Sequence, residues 1–345
     1  MTAFAAVLES LRSPLKLKKL TLPVLLPGQV LISLAYSGVC RSQLNEIQGF
    51  KGQDHYLPHT LGHEGSGVVL EIGEGVTKVK PGDHVVLSWI KGKGADVPGC
   101  QYVSSEGKVN SGAISSFLSK AVISENRVIP IPKEMPLREA ALLGCAIPTG
   151  AGVVLNQMKL QPGQSLAIFG LGGVGMSALL AAKHAQAFPL IAIDIQEDKL
   201  KKAQELGATH LINPKTIDLL SAIKDLTQGK GVDFSLECAG KKEAMEYAFQ
   251  VLNPSNGFCV LAGNLPKGES IQIDPFDLIL GKRIVGTWGG GSEIDRDIAH
   301  YVSLYLDRSF DFNPLVTHEI RLEEINDLLE KLEAGKVGRG LIKFI

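Results

Sequence analysis

Apolar positions fall into two textures along the chain. Over residues 1 to about 148 they form short segments rich in Val, Ile and Leu, among them Val30 to Tyr36, Gly65 to Ile72 and His84 to Trp89. Pro27-Gly28, Gly73-Glu74-Gly75 and Pro81-Gly82-Asp83 cut these segments apart. Such residues form turns, so the pattern predicts short strands and a β-rich, barrel-like domain. From about Thr149 to Val285 the order becomes apolar strand, glycine turn, helix, apolar strand. Ser165 to Phe169, Leu190 to Asp194, Val232 to Glu237 and Phe258 to Ala262 predict strands, while Gly173 to Ala187 and Lys199 to Leu206 predict helices. This alternation signals a parallel sheet with helices on both faces. After Gly286 a helix-rich tail includes Ile325 to Leu332, and Gly340 to Ile345 predicts a strand that returns to the first domain. The expected fold class is α/β: a β-rich domain from residues 1–148 and 286–345, and a doubly wound domain from 149–285.

Composition narrows the function. At 345 residues the chain is long enough for two domains and a cleft. Hydrophobic residues make up 45% and charged residues 21%, which argues against disorder and coiled coil. Lys plus Arg (35) nearly cancels Asp plus Glu (36), leaving no bulk field to draw in a nucleic acid. No window approaches the roughly 18 uninterrupted apolar residues of a membrane span. The first residues show no export-signal pattern, so a cytoplasmic location is expected. Five scattered cysteines, Cys40, Cys100, Cys145, Cys238 and Cys259, argue against a disulfide framework and for buried, reactive or metal-binding thiols.

Phe169 is followed by Gly170-Leu171-Gly172-Gly173-Val174-Gly175, a G-x-G-x-x-G run at the start of a predicted helix. Its glycines serve a tight turn, close approach to a pyrophosphate and packing of the helix on the strand, which marks a Rossmann dinucleotide site. Asp194 ends the next strand, 19 residues after Gly175. There an acidic side chain accepts hydrogen bonds from the adenosine ribose and repels a 2′-phosphate, which favours NAD over NADP. The competing reading of Asp194 is a helix cap. Lys199 is either a second ribose contact or a surface helix lysine.

Three segments set thiol or imidazole groups beside glycine: Gly38-Val39-Cys40-Arg41-Ser42, Gly62-His63-Glu64-Gly65 and Gly144-Cys145. Two thiolates and an imidazole suit a catalytic zinc that keeps its fourth position open. Their spacing leaves buried apolar thiols as the alternative for Cys40 and Cys145. The runs GHEGSGVV, EIGEGV and PGDHV, with GVCRS, GCAIPTG, FGLGGVG, IAIDI and GRGLIKF, span nearly the whole chain. Together they resemble the medium-chain dehydrogenase/reductase family, and within it the zinc alcohol dehydrogenases. The resemblance implies a GroES-like catalytic domain beside the Rossmann domain, with Cys40, His63 and Cys145 as zinc ligands. It implies hydride transfer between an alcohol and NAD(+), with a polyol dehydrogenase or a non-catalytic nucleotide-binding protein as rival readings. It also implies Glu64 beside the metal, Ser42 as the proton-relay hydroxyl, and Arg41 and Arg339 on the cofactor pyrophosphate. Thr149 and Val174 would pack on the nicotinamide, and Trp89 would form either a wall of the substrate pocket or ordinary core. Relatives are commonly homodimers or homotetramers.

Three departures stand out. The segment 91–117 holds only Cys100, so the second, structural zinc of many relatives is not expected, and one zinc per chain is. This glycine- and serine-rich segment is expected to be a mobile loop shaping substrate access. Asn45 and Gln43 stand where relatives carry a relay histidine and a histidine-orienting aspartate. Cys238 and Cys259 are expected to be inert core thiols, and His55 and His59 polar surface residues.

Overall fold

The computed structural model describes all 345 residues, Met1 to Ile345. Its two compact units are Met1–Cys145 with Glu293–Arg308 and Val316–Ile345, and Ala146–Ser292 with Ser309–Leu315.

The first unit begins with β1 (Thr2–Leu8), β2 (Lys16–Thr21), β3 (Gln29–Val39), β4 (His59–Thr60), β5 (Glu64–Ile72), β6 (His84–Ser88), β7 (Gln101–Ser104), β8 (Gly107–Asn110), β9 (Lys120–Ser124) and β10 (Val128–Ile131). Strands β1, β2, β7, β8 and β4 close a barrel. The helix α1 (Arg41–Ile47) follows β3, and α2 (Leu137–Ala140) precedes the 3-10 turn Ala141–Gly144.

The second unit holds α3 (Ala146–Gly152) and the six-stranded sheet β11 (Leu166–Phe169), β12 (Leu190–Ile193), β13 (His210–Ile212), β14 (Phe234–Glu237), β15 (Phe258–Leu261) and β16 (Arg283–Gly286). Its order is β13-β12-β11-β14-β15-β16, every pairing parallel. The strand order reverses at β11, and such a reversal opens a ligand crevice beyond the strand ends. Strands β11, β12 and β14 are buried at every position, because helices cover both faces. These helices include α4 (Gly173–His184), α5 (Glu197–Leu206), α6 (Leu219–Leu226) and α7 (Lys242–Gln250), while α8 (Pro275–Leu280), between β15 and β16, buries none of its residues. The first unit resumes with α9 (Ile294–Leu306), β17 (Val316–Ile320), α10 (Ile325–Glu333) and β18 (Arg339–Lys343). As the sequence predicts, β18 returns to the first unit, pairing antiparallel with β3 and completing the order β10-β6-β5-β3-β18-β17.

Two expectations need correction. The Rossmann unit is longer than 149–285. It starts at Ala146, because α3 packs so closely on α4 that a Cβ on Gly150 would lie 2.8 Å from Ala178 N. It runs on to Ser292, whose Oγ donates to Pro148 O (2.9 Å), and regains Ser309–Leu315, where the Phe310 ring lies 6.3 Å from that of His184.

The segment 91–117 is the second correction: it is fastened at several points. Its β7–β8 hairpin completes the barrel, with Tyr102 fully buried and its hydroxyl accepting from Val122 N (3.1 Å). The approach to the hairpin is held by two carboxylates. Buried Glu125 accepts from Thr77 N (2.7 Å), Lys78 N (2.8 Å) and Ala95 N (2.8 Å), and Asp295 of α9 accepts from Lys93 N (2.7 Å) while pairing with Lys78. Burial raises the Glu125 pKa, but the three amide donors outweigh it and hold the carboxyl below its ordinary value. A carboxylate saturated by backbone N–H groups thus ties two loops together.

Candidate functional site

The dinucleotide cradle lies at the C-terminal end of β11. Gly170 has φ +89°, a region that side chains rarely adopt, and a Cβ there would meet Ala239 N at 2.7 Å. A Cβ on Gly175 would collide with Gly170 O, so α4 packs onto the turn only with glycine at that position. Gly172 caps α4 and faces open space, leaving the N–H groups around Gly173 and Val174 able to meet an anion. Asp194 is not the cap of the next helix, which is Gln196. Its carboxylate accepts from Leu171 N (2.7 Å) and Gln196 N (3.0 Å), joining the end of β12 to the glycine turn and retaining acceptor capacity for hydroxyl groups. Lys199 is half-buried on α5. Thr149 lies on α3, buried, with an Oγ1 that has no hydrogen-bond partner.

In the first unit, three distant segments converge. Cys40 ends the β3 segment as the cap of α1, His63 stands immediately before β5, and Cys145 follows the turn Ala141–Gly144. Packing fixes each. Ser37 Oγ of β3 donates to Glu64 O (3.1 Å) and Ser116 Oγ (2.7 Å), and Ser88 Oγ of β6 donates to Gly144 O (2.8 Å), holding the peptide before Cys145. The two sulfurs and an imidazole nitrogen all lie within 4.8 Å of one another.

The electrostatics favour a cation there. Cys40 is held far below its ordinary pKa, first by a hydrogen bond from Cys145, and Cys145 is raised by the same bond and by burial. His63 Nε2 is buried with no hydrogen-bond partner. A partnerless buried ring nitrogen is costly unless something binds it. The other ring nitrogen, Nδ1, meets the Gln43 side-chain amide and lies 3.3 Å from Ser42 Oγ, contacts that hold the ring in place. Gln43 is buried, and its Oε1 accepts from Cys40 N (3.0 Å), so one amide positions both residues. Two thiols and an imidazole fit zinc, whose binding would release the thiol protons.

Glu64 and Arg339 complete the surroundings. The sequence offered no sign that they pair, yet Arg339 Nη2 meets Glu64 Oε1 and both side chains are buried. Burial opposes the guanidinium charge, but Glu64, Cys40 and Cys145 outweigh it and raise its pKa. Its Nε remains buried without a hydrogen-bond partner. Arg41 opens α1 and is exposed. Trp89 follows β6, half-buried, with its ring 6.5 Å from that of His63 in an edge-on arrangement, so it flanks the candidate metal site.

Other chemistry-bearing residues stand apart. His59 is buried, contrary to the expected surface position: its Nε2 pairs with Asp54 Oδ2 at 2.8 Å and Nδ1 faces Thr60 O at 3.1 Å, which anchors β4. Cys100 is half-buried, outside the converging group, and burial pushes its thiol up. Burial also raises the pKa of Cys238, and that of Cys259 to about 12, as befits inert thiols. Sequence reasoning passed over Glu237, although an acid closing the apolar strand FSLE was a visible signal.

Comparisons agree with this geometry. Residues 26–133 match the alcohol dehydrogenase GroES-like domain, and 173–305 match the zinc-binding dehydrogenase model. An S-(hydroxymethyl)glutathione dehydrogenase of Synechocystis sp. is 32% identical over 371 aligned residues, covering 100% of both chains. Among solved structures, a benzyl alcohol dehydrogenase from Acinetobacter calcoaceticus is 33% identical with a TM-score of 0.90, covering 100% of each chain. An alcohol dehydrogenase zinc-binding domain protein from Burkholderia ambifaria is 33% identical with a TM-score of 0.92, covering 99% of each. With its Rossmann sheet, its GroES-like unit and these relatives, the chain belongs to the zinc-type medium-chain dehydrogenase/reductase family, as an oxidoreductase acting on alcohols.

Proposed function

We propose that this protein is a zinc-dependent alcohol dehydrogenase that moves a hydride reversibly between an alcohol and NAD(+), with a single zinc per chain. One observation carries the reading: the buried, partnerless His63 Nε2 in a group with two thiols whose candidate ligand atoms all lie within 4.8 Å of one another. Zinc held by Cys40, His63 and Cys145 would supply Lewis acidity that lowers the pKa of an alcohol hydroxyl. The chain's own residues do the rest. Gln43 and Ser42 hold the His63 ring, Glu64 and Arg339 balance charge around the thiols, and Ser42 Oγ takes the hydroxyl proton and passes it toward solvent. Thr149 and Val174 orient the nicotinamide, Arg41 and Arg339 bind the pyrophosphate, and Asp194, with no cation beside it in the Asp194-Ile195 turn, selects NAD over NADP. The Trp89 ring offers an apolar wall, which favours alcohols with an aromatic or aliphatic chain over polyols.

The test is elemental analysis of the purified protein together with oxidation of benzyl alcohol, aliphatic primary alcohols and polyols, using NAD(+) and NADP(+) in parallel. About one zinc per chain is expected from the three-ligand site, with NAD(+)-linked turnover fastest on the apolar alcohols. Well-folded protein without zinc, or turnover that survives metal chelation, would sink the reading.

The protein is also read as a homo-oligomer. Strand β16 is an edge strand, and on it or close to it in sequence Phe276, Ile279, Leu280, Val285 and Trp288 are exposed apolar side chains. Light scattering should give a multiple of 36.9 kDa, and a monomer mass at micromolar concentration would count against it.

A further inference from the structure

Glu237 is a buried acid that the proposed reaction does not use. It closes β14 in the middle of the parallel sheet, in register with Phe169 of β11 on one side and Leu261 of β15 on the other, with no accessible surface. Acids are seldom fully buried unless paired with a cation. Here Oε1 accepts from Ala239 N (2.7 Å) and Gly240 N (2.8 Å), while Oε2 is buried without a hydrogen-bond partner and leaves no room for a side chain at Gly263. The turn that Glu237 fastens backs directly onto the glycine turn. A Cβ on Gly170 would lie 2.7 Å from Ala239 N and 2.9 Å from Ala239 Cα, and Cys238 N donates to Phe169 O (2.7 Å). One amide, Ala239 N–H, stands between the carboxyl group and Gly170.

We propose that Glu237 is a positioning residue for the dinucleotide: by fastening the 238–240 turn it sets the place of the Gly170 turn that receives the pyrophosphate. The proposal rests on the NAD reading above. It also gives cofactor affinity a pH dependence. Burial pushes the carboxyl up to about 7, against the pull of the Gly240, Ala239, Lys241 and Gly263 amides. The titratable groups near it are the thiols of Cys238, the next residue in the turn, and Cys259 on β15, both held protonated by burial. Lys241 beyond the turn is exposed, and Asp194, which accepts from two amides, flanks the other side of the glycine loop. Below pH 7 the neutral acid places no charge behind an anion site. Above it, a carboxylate does, and binding weakens.

NADH titrations followed by fluorescence, on the full chain without substrate between pH 6 and 8.5, test this. For the native protein the dissociation constant should rise about 3- to 10-fold over that range, the scale of one partly buried charge. Glu237→Gln keeps the Oε1 acceptor and cannot ionise, so its affinity should match that of the native protein at pH 6 and stay flat. Glu237→Ala releases the turn and should bind NADH about 10-fold or more weakly throughout. If Glu237→Ala does not fold, the flatness of the Glu237→Gln profile decides. Native affinity and native pH dependence in the variants overturn the proposal, whereas a native protein that binds neither NADH nor NADPH overturns the cofactor reading beneath it.

Discussion

Cys145→Ser yields protein that keeps its fold, carries no zinc and oxidises alcohols at a rate roughly 10³-fold or more below native, the equivalent of the several kcal/mol that a Lewis-acidic metal supplies. The reason lies in the thiol pair. Cys40 becomes a thiolate mainly through the hydrogen bond that Cys145 donates, and each sulfur completes a site whose third member is the partnerless His63 Nε2. A serine hydroxyl neither ionises near neutrality nor binds zinc well, so one substitution removes a ligand and weakens its neighbour. The side chain itself is small and buried, and serine nearly matches its volume, so unfolding is not the expected cause. NADH binding should persist, since the glycine cradle belongs to the other unit. Elemental analysis, steady-state rates and NADH titration of the same preparation separate these outcomes. Native zinc content in Cys145→Ser would remove this cysteine from the ligand set.

The second large effect is on stability. Arg339→Met leaves the Glu64 carboxylate buried with its cation gone, and breaking a buried ion pair from one side typically costs about 3–5 kcal/mol. The loss should appear as a lower urea midpoint in zinc-free protein. Pairing it with Glu64→Gln removes the stranded charge, so the double variant is expected to be more stable than Arg339→Met alone. A single-variant cost below about 1 kcal/mol would show that the pair contributes little. Arg339→Met should also weaken zinc binding, because the guanidinium is one of the groups that keep Cys40 ionised. That change is read by competition with a chelator, a measurement that a purely structural role would leave unmoved.

Local signals in the chain account for much of this protein. The glycine run 170–175 implies a sharp turn between strand and helix, because Gly170 adopts φ +89° and a Cβ at Gly175 would collide with Gly170 O only five residues earlier. Fully apolar segments such as Leu166–Phe169 and Leu190–Ile193 imply strands buried on both faces, hence helices to cover them. His63 and Cys145 directly follow a glycine and Cys40 stands two residues after one, each at a place where β3, β5 or the Ala141–Gly144 turn begins or ends.

Other features depend on which surfaces meet, and the pattern of apolar positions is silent on that. His63 lies 23 residues from Cys40 and 82 from Cys145, so their approach reflects how β3, β5 and β6 pair and how Ser88 grips the peptide before Cys145. Arg339 reaches Glu64 across 275 positions because β18 adds to β3 in one register. The segment 91–117 reads as loose from its glycines and serines, yet Glu125, Asp295 and the barrel seam anchor it. Periodicity and turn sterics act over a few residues and leave their mark in composition, whereas ligand convergence, ion pairing and loop anchoring arise from strand register and long-range packing, which a local pattern permits without specifying.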